Sequence, residues 1–87
     1  MNNQVPYQEQ GQIRTFSKDL DQQELVWHRD PEDRYIQPLH STDWLFQFDN
    51  NPPQKMGMDP LFIPKDTYHR IVKGSDDLTV KVIKCKN

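Results

Sequence analysis

From residue 24 onward, apolar residues recur at every second position in short runs, and turn-forming residues separate the runs. Trp44, Phe46 and Phe48 alternate with Leu45 and Gln47, the clearest strand pattern in the chain. Over residues 78–84, Leu78, Val80 and Val82 share one face and Ile83 takes the other. Residues 61–63 read as a short strand stopped by Pro64. Residues 68–73 read as another, with His69 and Ile71 on one face and Tyr68, Arg70 and Val72 on the opposite one. Upstream, residues 24–28 place Leu25 and Trp27 on one face, Val26 and His28 on the other. Residues 34–39 set Tyr35, Gln37 and Leu39 against Arg34 and Ile36, and Pro38 confines that strand to an edge or an irregular end. Residues 12–16 are a weaker edge-strand candidate.

The punctuation between these runs is of turn type. Asp30-Pro31-Glu32-Asp33 and Asp49-Asn50-Asn51-Pro52-Pro53 break the chain sharply, and Gly74-Ser75-Asp76-Asp77 predicts a hairpin turn. Residues 17–23 predict a turn or a single helical turn, with Asp21 and Glu24 spaced as a capping box. About six or seven short strands at roughly 8–12-residue spacing, with no long helix, point to an all-β sandwich or barrel. Its core would be built mostly on Trp27, Trp44, Phe46 and Phe48.

Composition changes this picture at the start of the chain. Residues 1–11 are rich in Gln and Asn, with only Val5, Pro6 and Tyr7 offering apolar surface beyond Met1. They predict a flexible arm, available to a protein partner or a second subunit, ahead of one domain over residues 12–87. The 87 residues are 33% hydrophobic with mean hydropathy −1.00, so the clustering of the apolar positions is what argues for an ordered core. A net charge of −2 leaves no basic excess for phosphates, which argues against a nucleic-acid partner. No run approaches a membrane span or a signal peptide, so the expected compartment is the cytoplasm, or a host's cytoplasm for a viral protein. The one cysteine, Cys85, reads as an incidental thiol.

The candidate chemistry rests on histidine. His28 and His69 each share a strand face with an aliphatic residue, which suits the lining of a small barrel. Two imidazoles in one lumen, with Asp30 or Asp33 beside them, suit a divalent transition metal such as iron, zinc, manganese or nickel. A histidine in a small β-fold is more often a hydrogen-bonded packing residue, which is the alternative reading. Arg34, Tyr68 and Arg70 are candidate ligand-binding residues, the arginines for a carboxylate or phosphate. The alternative is surface pairing with Asp30, Glu32, Asp33 or Asp66, and the alternation sets Arg70 opposite His69. His40, Ser41 and Asp43 are too local in sequence for a catalytic triad.

Asp59-Pro60-Leu61-Phe62-Ile63-Pro64-Lys65-Asp66-Thr67-Tyr68-His69 resembles the second sequence motif of the cupin superfamily. The acidic residue, proline and histidine keep the motif's spacing at Asp59, Pro64 and His69. Met58 stands at the first glycine, with Gly57 one position early, and Asp66 replaces the glycine of the turn, where aspartate tolerates left-handed backbone better than most residues. His28-Arg29-Asp30 resembles the first motif's His-x-His with Asp30 as the second ligand. The motif's glutamate falls on Arg34 or Tyr35, and its closing glycine near Ser41.

The resemblance covers about residues 24–84. It implies a double-stranded β-barrel (cupin- or jelly-roll-like), often dimeric, with His28, Asp30, Arg34 and His69 at the ligand positions. Arginine does not ligate metal, which leaves two imidazoles and one carboxylate, with Asp33 as a substitute. The chain is also similar to short single-cupin proteins of bacteria and tailed phages. The expected function is a small binding protein that holds a metal or small ligand in the lumen. If it is an enzyme, the expected class is a metal-dependent isomerase or oxygenase. The alternative is a metal-free interaction module, such as a phage accessory or host-interacting protein.

Overall fold

The computed structural model describes residues 5–85, which form eight strands in two antiparallel sheets. The strands are β1 (Gln8–Gln10), β2 (Ile13–Phe16), β3 (Arg34–Pro38), β4 (Leu45–Phe48), β5 (Gln54–Lys55), β6 (Leu61–Ile63), β7 (His69–Val72) and β8 (Leu78–Lys84). One sheet runs β1-β2-β8-β3-β6 and the other β5-β4-β7. The all-β expectation holds. Among the described residues, no helix is long and apolar enough to cross a membrane.

The alternation read from the sequence decides which faces meet. Leu78, Val80 and Val82 of β8 and Ile36 of β3 point inward from the first sheet, and Phe46 and Ile71 from the second. Trp44, Phe46, Leu78 and Val80 are the fully buried centre of this core. β8 is the axis of the larger sheet: Ile36 registers with Val82 on one side, and Arg14 with Val80 on the other. The Trp44 indole keeps its polar edge satisfied by donating to the Asp76 carbonyl.

Several expectations are corrected. Residues 8–10 are not loose: they form β1, register with Ile13–Thr15, and are tied by an ion pair of 2.8 Å between Glu9 and Arg14. Gly11, at φ 61°, makes the tight turn between the two strands. All three β1 residues are exposed, so no apolar alternation announces the strand. Residues 1–4 of the expected arm lie outside the described residues. With β1 beside it, β2 is not an edge.

Residues 24–28 are not a strand. The Asp21–Glu24 capping box closes a 3-10 turn at Gln22–Glu24, and the chain then runs extended to a lone bridge between His28 and His69. Leu25 is buried, whereas Trp27 is exposed, with the Arg70 guanidinium 4.6 Å above its ring. Residues 74–77 are not a hairpin turn, because β7 and β8 belong to different sheets and the segment carries the chain across. Gly74 is required there, since a side chain would collide with the Asp43 carboxylate and Trp44. Pro38 ends β3, as expected, but β3 lies inside its sheet between β8 and β6.

Candidate metal centre

His69 is delivered by a turn. Pro64 ends β6, Asp66 adopts φ 59°, and the chain re-enters a strand at His69. Two hydrogen bonds clamp this turn onto the segment that carries the other candidates. The Asp66 amide donates to the Asp30 carbonyl, and the Lys65 amide to the Asp33 carboxylate, both at 2.8 Å.

His28 is delivered by the bridge. Its amide donates to the His69 carbonyl at 3.0 Å, and the His69 amide returns the bond at 2.9 Å. Directly opposed residues of an antiparallel pair project to the same face. The imidazoles therefore stand edge to face, with centroids 4.3 Å apart. The Phe46 ring stacks on His69 from the core side at 5.4 Å.

Asp30 completes the group. Its Oδ2 lies 3.4 Å from His69 Nε2 and its Oδ1 lies 4.0 Å from His28 Nε2. One ligand atom from each of the three residues falls within 4.8 Å of the others. Two donors bound to one ion at about 2.0–2.2 Å stand roughly 3.0–3.5 Å apart, so a modest contraction would complete coordination. His69 is 4% exposed and Asp30 8%, whereas the His28 side chain is 52% exposed.

The other ring nitrogens set the tautomers. Nδ1 of His69 lies 2.8 Å from the Thr67 carbonyl, and Nδ1 of His28 lies 3.2 Å from that of Val26. A nitrogen facing a carbonyl must carry the proton, so in the neutral rings both Nε2 lone pairs face the Asp30 carboxylate. Burial holds the His69 imidazole below the ordinary histidine range, with His28 and Arg34 acting in the same direction. The Thr67 carbonyl and the Asp30 carboxylate oppose the shift. Two convergent lone pairs beside an anion, with each Nδ1–H anchored on a carbonyl, are a donor set that fits a divalent cation.

The remaining candidates separate. Arg34 lines the cavity above the group, with Nη1 3.2 Å from Asp30 Oδ1 and Nε paired to Glu32. Asp33 is not in the group: its carboxylate accepts from the Lys65 amide, which corrects it as a ligand. Tyr68 and Arg70 are corrected as cavity residues, because they lie on the other face of the strand from His69. Tyr68 is 44% exposed, with the Arg29 guanidinium 5.2 Å above its ring, and Arg70 stacks on Trp27 and donates to Gln47. His40 makes no triad. Its Nδ1 lies 2.9 Å from the Ser41 carbonyl and its Nε2 accepts from the Thr79 amide, while the Asp43 carboxylate is held by Ser75. The carbonyls of Val26 and Thr67 were beyond sequence reasoning, because a backbone acceptor has no side-chain signature.

The three residues open onto a cavity of about 470 Å³ between the two sheets, otherwise lined largely by aliphatic and aromatic side chains. No protein-family model and no curated protein matches this chain. Solved structures match its fold. The DMSP lyase DddQ of Ruegeria pomeroyi superposes over 86% of this chain with TM-score 0.71 and 17% identity, and the chain spans only 36% of that protein. Protein NMB1881 of Neisseria meningitidis matches 95% of this chain and 84% of its own, with TM-score 0.59 and 12% identity. A mannose-6-phosphate isomerase-like protein of Ralstonia eutropha matches 95% and 82%, with TM-score 0.56 and 15% identity. At these identities the likeness is one of fold, and the fold is cupin-like.

Proposed function

We propose that this chain is a small cupin-like binding protein whose His28, Asp30 and His69 hold one divalent transition-metal ion at the wall of the cavity. The observation that carries the reading is the convergence of two Nε2 lone pairs on a buried carboxylate, each imidazole oriented by a carbonyl behind it. Two imidazoles and one carboxylate leave open positions on an ion, and such a set admits iron, zinc, manganese or nickel. A metal held there would supply Lewis acidity toward an oxygen-bearing ligand. Asp30 and the two imidazoles would provide the donors.

A second reading is a metal-free β-fold that serves as an interaction module. The observation in its favour is Arg34, whose guanidinium already compensates the Asp30 charge at 3.2 Å. Elemental analysis of protein purified without a chelating tag separates the two. The metal reading expects about one equivalent per chain, lost in His69→Ala. A stoichiometry near zero in the wild type would sink it.

A further inference from the structure

The order aromatic, histidine, arginine occurs twice in the chain, as Trp27-His28-Arg29 and as Tyr68-His69-Arg70. The antiparallel bridge between His28 and His69 sets these triplets side by side. Both imidazoles turn inward to the cavity, so the four flanking side chains take the outer face. There Trp27 stands across from Arg70 and Tyr68 across from Arg29, with the guanidiniums 4.6 Å and 5.2 Å from the opposing ring centres. The two rings stay 39% and 44% exposed. Among the described residues neither arginine has an acidic partner. Arg70 donates through Nε to Gln47, and the Arg29 side chain is exposed and makes no hydrogen bond. Stacking uses the flat face of a guanidinium and leaves its N–H edges open.

We propose that this face docks an extended acidic segment of a protein partner, with carboxylates at alternate positions on Arg29 and Arg70 and the intervening chain against Trp27 and Tyr68. Charge and spacing select that partner. The outer face of the smaller sheet carries Arg29, Arg70 and Lys55 against Asp49, and the turn before β7 adds Lys65 and Asp66, which cancel. The acids of the adjoining segment are turned elsewhere: Glu24 and Asp30 line the cavity, Glu32 pairs with Arg34, and Asp33 accepts from the Lys65 amide. The face is therefore basic on a chain of net charge −2. Arg29 and Arg70 are diagonal neighbours across the bridge, about 7–8 Å apart where they leave the backbone. Alternate residues of an extended segment stand about 7 Å apart on one side, which matches. Exposed tryptophan, tyrosine and arginine are the residue types that anchor protein interfaces. A nucleic-acid strand fits less well, because its phosphates would run past so small a basic face onto a chain that is net acidic elsewhere.

The test is an NMR titration with the peptide acetyl-Glu-Thr-Glu-Thr-Glu-amide, its all-Gln counterpart, and an oligothymidylate. The Trp27 indole N–H is the reporter, and that of Trp44, buried and bonded to the Asp76 carbonyl, is the control. The Glu peptide is expected to shift Trp27 saturably, and more weakly as salt is raised, while Trp44 and the His28 and His69 rings on the opposite side stay still. Arg29→Gln, at an exposed site free of hydrogen bonds, is expected to weaken the Glu peptide about fivefold, as is Arg70→Gln, and the double variant should lose saturation with Trp44 unmoved. Equal binding of the Glu and Gln peptides overturns the proposal, as does a Glu peptide that shifts the two histidines instead of Trp27. Tighter binding of the oligothymidylate than of the Glu peptide overturns it in favour of nucleic acid.

Discussion

The two segments that meet at the candidate centre are built in opposite ways. His69 opens a regular strand: β7 pairs along its length with β4, and the ring is buried against Phe46. His28 lies on irregular chain held to β7 by one bridge, and its side chain is half exposed. Asp30 stands between them, buried, with its carbonyl tied to the turn and its carboxylate tied to Arg34. One histidine belongs to the core and the other is docked onto it, so structural and functional costs should separate at these two positions.

The largest expected effect is at Asp30, which serves both segments. Asp30→Ala leaves Arg34 without its buried partner and should cost about 3 kcal/mol in denaturant unfolding, together with metal uptake. The histidines test the contrast itself. His69→Ala should cost about 2 kcal/mol through the space it empties, whereas His28→Ala should cost well under about 1 kcal/mol, and both should abolish metal uptake. Equal stability losses would erase the distinction. At Asp66 the left-handed backbone is the variable: Asp66→Val should cost about 1 kcal/mol and Asp66→Gly close to none, by thermal unfolding. The smallest effect is one of pH. Because burial lowers the folded-state pKa of His69, the unfolded chain binds more protons than the folded one below about pH 6.5. In chelator, stability should therefore decline as pH falls through that value toward the lowered pKa, and His69→Gln should flatten the decline.

Legibility in the sequence followed burial. Residues 45–48 and 78–84 alternate because one face of each strand is covered, and both strands lie where that pattern puts them. The spacing from Pro64 to His69 was readable because a turn of fixed length needs its proline and its left-handed residue at set positions, and Asp66 supplies the latter. β1 and β5 were not readable, since exposed strands carry no apolar signal. Trp27 misled because it lies at the surface rather than in the core, with the Arg70 guanidinium over its ring, a contact that alternation does not encode. At the site, the two histidines and Asp30 could be named from the motif. The exclusion of Asp33 depended on a hydrogen bond that only the folded chain displays, whereas alternation already set Tyr68 and Arg70 on the face opposite His69.

The most direct test of the centre is a histidine ¹⁵N NMR titration with zinc. The three imidazoles supply their own control, because His40 already accepts a backbone amide at Nε2. The expected result is that the Nε2 resonances of His28 and His69 shift together and saturate at one equivalent while His40 stays still. If neither moves, or if all three move alike without saturating, His28, Asp30 and His69 do not form a metal centre.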